Sequence, residues 1–229
     1  LVYLWVNTSN ADFQKQYLDH LANVQGAKPR FWNAGLNERD DYCLKYSLRS
    51  VQQSGMWKNV GRVFIVYNPI HPPPSFLNLS HPQITMVPHR DIMPQSSLPT
   101  FNSWAVLWSL TNIAGLSSWY YIMDDDYFFG PSGSCPPLAV QARTNWAYMN
   151  LRRAGLFSRT DVDPFFHYQN NSNTALNAIF GEEKIQGERM SELHRPYLHN
   201  LCIMHRAQKY LIPSQRAASV MSKHRNPAS

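Results

Sequence analysis

At 229 residues, with 44% hydrophobic side chains and an aromatic set of Trp 7, Tyr 12 and Phe 11, the chain can bury one sizeable core, with or without a helical appendage, but hardly two domains. This composition excludes a disordered, low-complexity or repetitive chain. A net charge of +6 and a pI near 9.3 favour anionic ligands such as nucleotides, phosphorylated glycans, nucleic acid or acidic membrane surfaces, without choosing among them. Cys43, Cys135 and Cys202 lie far apart with no CxxC pair, which argues against a zinc knuckle or a dense disulfide scaffold and leaves room for one disulfide and one free thiol.

The apolar run LVYLWV (residues 1–6) reads as a buried first strand of a parallel sheet, ending in the polar turn 7–10. DDYCLKYSLRSVQQSG (40–55) places Leu44, Leu48 and Val51 on one helical face, with Asp40 or Asp41 as cap, Gly55 as stop and Arg49 on the polar face. VGRVFIVYN (60–68) is a second strand. The prolines of IHPPPSF exclude regular structure after it. QITMVPH (83–89) is a third short strand leading to Arg90 and Asp91, and NSWAVLWSLTNIAG (102–115) is a helix preceding a fourth strand at 119–123. Strand, helix, strand, strand, helix, strand is an α/β order.

That fourth strand runs straight into three aspartates, WYYIMDDDYFFG (119–130). At the carboxyl end of a strand in an α/β sheet, side chains face the ligand crevice. Hard oxygen donors there suit Mg²⁺ or Mn²⁺ carried on a substrate diphosphate, which directs attention to nucleotide-sugar chemistry. Beyond Gly130 the breaker-rich PSGSCPP sets a boundary near Pro131. Helices are expected over 175–180, 198–211 and 215–224, punctuated by Pro196 and Pro213, with the basic residues of the carboxyl end on solvated helix faces. The expected organisation is an α/β core over 1–130, a linker or irregular insertion over 131–172, and a helical segment over 173–229 that completes the site. Three N-glycosylation patterns, at Asn7, Asn78 and Asn170, lean towards a secretory compartment. No run has the length of a transmembrane helix, no signal peptide precedes Leu1, and a start without Met directly in a strand reads as a piece of a longer protein.

Taken in order, VYLWVN (2–7), LKYSLRSV (44–51), VFIVYN (63–68), FLNLSHPQITMVPHRDI (76–92), SSLPTFNS (96–103) and IAGLSSWYYIMDDDYFFG (113–130) resemble the Stealth family of sugar-1-phosphate transferases, which includes N-acetylglucosamine-1-phosphotransferase and capsule polymerases. NTALNAIFG (173–181), HRPYLHN (194–200) and KHRNP (223–227) are similar to its third conserved region. The likeness thins between residues 132 and 171. Thr8, Ser9 and Asn10 stand where the family carries an acidic residue, Asn68-Pro69 replaces an Asn-Gly turn, Asp124 replaces an Asn, and no fourth conserved region follows Ser229.

The resemblance implies a nucleotide-sugar-transferase fold of the GT-A or Rossmann-like kind, with a mixed or parallel sheet. It also implies transfer of a sugar-1-phosphate, as from UDP-GlcNAc, to a glycan hydroxyl, with Mg²⁺ or Mn²⁺ as cofactor. Asp125 and Asp126 are then the metal ligands and Asp124 an outer support. His194 is favoured as base over Asp91, which serves instead to orient the imidazole, and Arg225 braces phosphate oxygens. Asn7 is assigned to the nucleotide base or ribose, Thr100 to a sugar hydroxyl with Phe101 against a sugar face, and Arg49 to the donor diphosphate or to pairing with Asp40 or Asp41. The partners implied are a nucleoside diphosphate sugar donor, a glycan acceptor, and protein partners or further copies of the chain. A eukaryotic member would work in the Golgi lumen and a bacterial one in the cytoplasm. Two alternatives remain open: an ordinary glycosyltransferase, and a pseudoenzyme serving as a subunit of an RNA-rich organellar assembly.

Overall fold

The computed structural model describes residues 1–22, 42–130, 152–154, 189–191 and 196–211. Its centre is a five-stranded mixed sheet in the order β3-β2-β1-β4-β7. β1 (Val2–Trp5), β2 (Val63–Tyr67), β3 (Ile84–Pro88) and β4 (Trp119–Asp124) are parallel, and β7 (Tyr197–Asn200) closes the β4 edge in the antiparallel sense. A separate antiparallel pair joins β5 (Arg152–Ala154) to β6 (Arg189–Ser191).

β1, β2 and the body of β4 are apolar because the centre of the sheet is covered on both faces. Alternation divides each strand between two cores. Val2, Phe64, Val66, Tyr120 and Ile122 face Ala105, Val106 and Leu110 of α4 (Ser103–Ser109) and the 3₁₀ turn that follows it. Tyr3, Ile65, Tyr121 and Met123 face Leu44 and Val51 of α2 (Tyr42–Gln53). The result is three layers, with α2 and α4 on opposite sides. Burial of each large side chain contributes about 1.5–3 kcal/mol.

Local signals define the helices. α1 (Ala11–Ala22) starts where the Asn10 Oδ1 accepts the Phe13 N–H at 2.9 Å, and it buries Phe13 and Tyr17, one turn apart. α2 ends at Gly55, whose φ of +75° suits a residue without Cβ. α3 (His89–Ile92) is a single turn after β3. α4 is capped by Asn102, which accepts the Trp104 N–H at 3.1 Å. α5 (Leu201–Leu211) is capped by Asn200, which accepts the Ile203 N–H at 3.1 Å. Gln208 Nε2 then ties α5 down by donating to the Trp108 carbonyl at 2.6 Å. Among the described residues no helix is long and apolar enough to cross a membrane.

Three expectations change. The 11–22 helix has no counterpart in the sequence reading. The helix expected over 102–115 stops at Ser109 and tightens into 3₁₀ geometry over Leu110–Asn112. The helix expected from residue 198 begins at Leu201 because residues 197–200 satisfy the open backbone edge of β4, so tertiary pairing overrides the local preference. The expected helices over 175–180 and 215–224 lie outside the described residues.

Candidate active site

β1 is the centre of the parallel set. From it the chain moves to β2 and β3 on one side and then crosses to β4 on the other. The strand order therefore reverses between β1 and β4, and a ligand crevice lies outside the carboxyl ends at such a switch. Leu4 pairs with Asp124 in register, so the end of β1, with Asn7 two residues beyond Trp5, adjoins the start of the acidic triplet. Asp124 and Asp125 are half-buried and Asp126 is exposed.

The loop carrying the aspartates is held from α2. Ser47, fully buried, donates its hydroxyl to the Tyr127 carbonyl oxygen. Because that hydroxyl proton is used, the Tyr3 phenol is the donor to Ser47 Oγ at 3.0 Å. One turn on, Ser50 Oγ accepts the Phe129 N–H at 2.9 Å and donates to the Ser47 carbonyl at 2.6 Å. Burial pushes the Tyr3 phenol up to about 12, with the Ser47 hydrogen bond opposing and the Asp125 charge adding to the rise. Burial also raises the Tyr127 phenol, helped by the Asp124 carboxylate beside it. Both phenols stay protonated near neutrality at the foot of the acidic loop, and the Tyr3 phenol donates to Ser47 Oγ.

Next to this acidic end stands a neutral one. The Asn7 backbone N–H donates to His71 Nε2 at 3.1 Å, which makes Nε2 an acceptor and puts the ring proton on Nδ1, facing the Pro72 carbonyl at 3.4 Å. His71 is 1% exposed, packed edge-on against Trp5 at 4.7 Å between centroids, and its burial lowers its pKa. His89, at the end of β3, is also buried. Its pKa falls to about 4, first from burial and then from His71. Asn68, which follows β2, is buried with its Oδ1 accepting the Ile70 N–H at 3.1 Å. Asn68, His89 and Thr100 line a cavity of about 370 Å³ together with Gln16 of α1.

The structure brings some of the expected site residues together. Asn7 and Asp124, Asp125 and Asp126 share the β1/β4 edge. The Asn7 Oδ1 accepts the Ser9 N–H at 3.0 Å, so its carbonyl shapes the turn. Thr100 is buried on the cavity wall, where its Oγ1 accepts the Asn102 N–H at 3.2 Å. Phe101 packs against Phe13 at 5.6 Å and Tyr17 at 5.2 Å, which engages its ring with α1. Arg49 is exposed on α2, while Ser47 and Ser50 of the same SLRS segment turn inward. Asp91 has a 60% exposed side chain 3.9 Å from Arg90 Nε. His194 and Arg225, together with Asp40 and Asp41, lie outside the described residues.

Sequence reasoning passed over Ser47, Ser50, Asn68, His71 and His89. The serines carried a signal: at i and i+3 they share the helical face of Leu44 and Val51, where a polar residue needs a buried partner.

The chain thus has a mixed α/β sheet with helices on both faces and an acidic strand end at its switch point, where ligands bind in open α/β sheets. Comparison with known proteins adds a likeness: residues 37–135 match Stealth protein CR2, conserved region 2. It is 37% identical over 130 residues to the capsular polysaccharide phosphotransferase SacB of Neisseria meningitidis serogroup A, covering 56% of this chain and 22% of that protein. It is 37% identical over 131 residues to the exopolysaccharide phosphotransferase CpsY of Mycobacterium leprae (strain TN), covering 57% and 23%. Against the N-acetylglucosamine-1-phosphotransferase subunits alpha/beta of Mus musculus the identity is 42% over 92 residues, covering 40% and 7%. The matched region thus spans less than a quarter of each of these relatives.

Proposed function

We propose that this chain forms the nucleotide-sugar-binding core of a metal-dependent transferase that moves a sugar-1-phosphate from a nucleoside diphosphate sugar to a glycan hydroxyl. The observation that carries this reading is the acidic triplet closing β4 beside β1, at the strand-order reversal. The relatives' names, all phosphotransferases acting in polysaccharide or N-acetylglucosamine chemistry, support it. The sheet is accordingly read as a nucleotide-sugar-transferase fold of the GT-A or Rossmann-like kind.

The donor set fits Mg²⁺ or Mn²⁺ arriving with the diphosphate. Among the described residues no group of three or more His, Cys, Asp or Glu side chains forms a cage, and a hard cation that keeps its waters and a substrate's phosphate oxygens needs only one or two carboxylates. Asp125 and Asp126 would hold it. When bound, the cation neutralises the diphosphate and stabilises charge on the departing phosphate. The chain's own residues do the rest by position. Asp124, beside Tyr127, anchors the loop, and the Ser47 and Ser50 bonds fix its path. Asn7 meets the nucleotide at the end of β1.

For the acceptor, His194 is the proposed base. It takes the hydroxyl proton as the oxygen forms its bond to phosphorus and the nucleoside monophosphate oxygen departs. In sequence it stands three residues before Tyr197, the first residue of β7. Arg225 is proposed to brace the phosphoryl oxygens and Asp91 to orient the imidazole. A secretory-pathway or cytoplasmic setting follows the parent organism.

The test is to incubate the full-length parent with Mn²⁺, a panel of nucleoside diphosphate sugars and mixed sugar acceptors, and to identify the released nucleotide. Acceptor-dependent nucleoside monophosphate supports attack at phosphorus. Nucleoside diphosphate would mean glycosyl transfer, and no turnover with any donor would favour an inactive assembly subunit.

A further inference from the structure

We propose that the cavity walled by Gln16, Asn68, His89, Leu98 and Thr100 is a subsite for a neutral, hydroxyl-bearing sugar ring. Its identification as sugar rests on the sugar-phosphate reading above. Its neutrality does not. The volume of about 370 Å³ lies at the small end of the roughly 300–1,000 Å³ usual for ligand pockets, fitting one ring better than a whole nucleotide. The wall alternates uncharged polar groups with apolar surface from Pro69, Ile70 and Leu98, the mixture that suits a ring with polar edges and apolar faces. Its charged member, Arg90, is exposed at the rim and lies 3.9 Å from Asp91.

Three wall residues carry a buried polar atom that no group among the described residues pairs: Gln16 Oε1, Asn68 Nδ2 and His89 Nδ1. Asn68 cannot simply turn to relieve this, because its Oδ1 already accepts the Ile70 N–H, which aims the amide N–H₂ away from that turn. Buried groups left unpaired in a folded chain mark a place completed by a ligand or water. A donor (Asn68), an acceptor (Gln16) and an imidazole held neutral beside His71 require a partner that both gives and takes hydrogen bonds. Hydroxyl groups do both. A phosphodiester or the bridging phosphate of a diphosphate, which carries no hydroxyl and only accepts, would leave Gln16 Oε1 unmatched and, among the described residues of the wall, would find no buried cation.

The experiment titrates the full-length parent with glucose, mannose and N-acetylglucosamine as neutral probes, and with inorganic phosphate and UDP as anionic ones, by ligand-observed NMR. Wild type is compared with Gln16→Leu and Thr100→Val. At least one neutral sugar is expected to bind, with affinity reduced about fivefold or more in each variant, the loss of one hydrogen bond, while UDP affinity stays within about twofold. Unfolding midpoints report that both variants are folded. Neutral-sugar affinity unchanged in both variants, no neutral-sugar binding, or a loss confined to phosphate and UDP would overturn the assignment. Turnover kinetics separate it from the proposed function. If transfer occurs and neither variant changes KM for donor or acceptor, the subsite is wrong and the transferase stands. If sugar binds here in a variant-sensitive way and no donor turns over, the subsite stands and the transferase reading falls. A raised donor KM assigns the ring to the donor, and a raised acceptor KM assigns it to the acceptor.

Discussion

Replacing Ser47 by Ala removes one hydroxyl and strands two groups. Tyr3 is 0% exposed and donates its phenol proton to Ser47 Oγ, and the Tyr127 carbonyl accepts the Ser47 proton. Neither bond can be replaced by water without opening the core between β1 and α2. A buried polar group left without its partner costs about 1–3 kcal/mol, so Ser47→Ala is expected to lower unfolding free energy by about 2–4 kcal/mol, allowing for partial relaxation. Tyr3→Phe removes the stranded phenol in advance. In the double variant the two losses should therefore fall short of their sum by about 1–2 kcal/mol, as expected of directly bonded partners. Urea unfolding of the four proteins of the cycle, followed by tryptophan fluorescence, measures this. A Ser47→Ala cost below about 0.5 kcal/mol, or strict additivity with Tyr3→Phe, would refute the view that α2 holds the acidic loop through this pair.

Acid should weaken the fold through His89. Its folded pKa of about 4 lies below the ordinary 6.5, so between those values the unfolded chain binds a proton that the folded chain refuses. This contribution is intact above about pH 6.5 and declines towards pH 4 by on the order of 3 kcal/mol. His89→Gln should flatten the decline, and superimposable wild-type and variant stability curves from pH 7 to 4.5 would count against a buried neutral imidazole. Asp125→Asn and His194→Ala are each expected to abolish sugar-phosphate transfer with the unfolding midpoint preserved; full activity in either removes that residue from the mechanism. Gly115→Ala is expected to cost about 1–2 kcal/mol, since a φ of +76° disfavours a Cβ and the added atom would meet an Arg62 guanidinium nitrogen at 3.2 Å. A thermal midpoint equal to wild type would contradict that strain.

The central parallel strands were legible because they are buried on both faces. Val63–Tyr67 is an unbroken apolar run, and no half-exposed strand or surface helix writes that pattern. α2 was legible from Leu44 and Val51 at helical spacing. α1 was not, because Phe13 and Tyr17 pack on single rings at the sheet's edge, Phe101 and His71, rather than along a broad core. β7 escaped for a related reason. Its four residues are only half-buried, and what makes them a strand is the free edge of β4, a partner about 80 residues away that a local pattern cannot register.

In the candidate site, the triplet could be read because three charges abutting an apolar strand break the local pattern. His71 and His89 could not be, since an imidazole is informative only once its neighbours fix its charge, and those neighbours, Trp5 and Phe13 for His71, come from other elements. Their neutrality matters because it polarises the crevice. Asn68 follows β2, which lies two strand spacings from β4, about 10 Å. Across that distance the carboxyl edge changes from the three aspartates to a wall of amide, imidazole and hydroxyl groups with Arg90 exposed at its rim. Under the proposed function, a ligand charged at one end and neutral at the other would therefore be bound in one direction. Reversal would set phosphate against a neutral pocket and leave the carboxylates facing a sugar with no cation between them. Under that proposal the partition of this edge would supply orientation rather than affinity, and in-line transfer of a phosphoryl group depends on orientation.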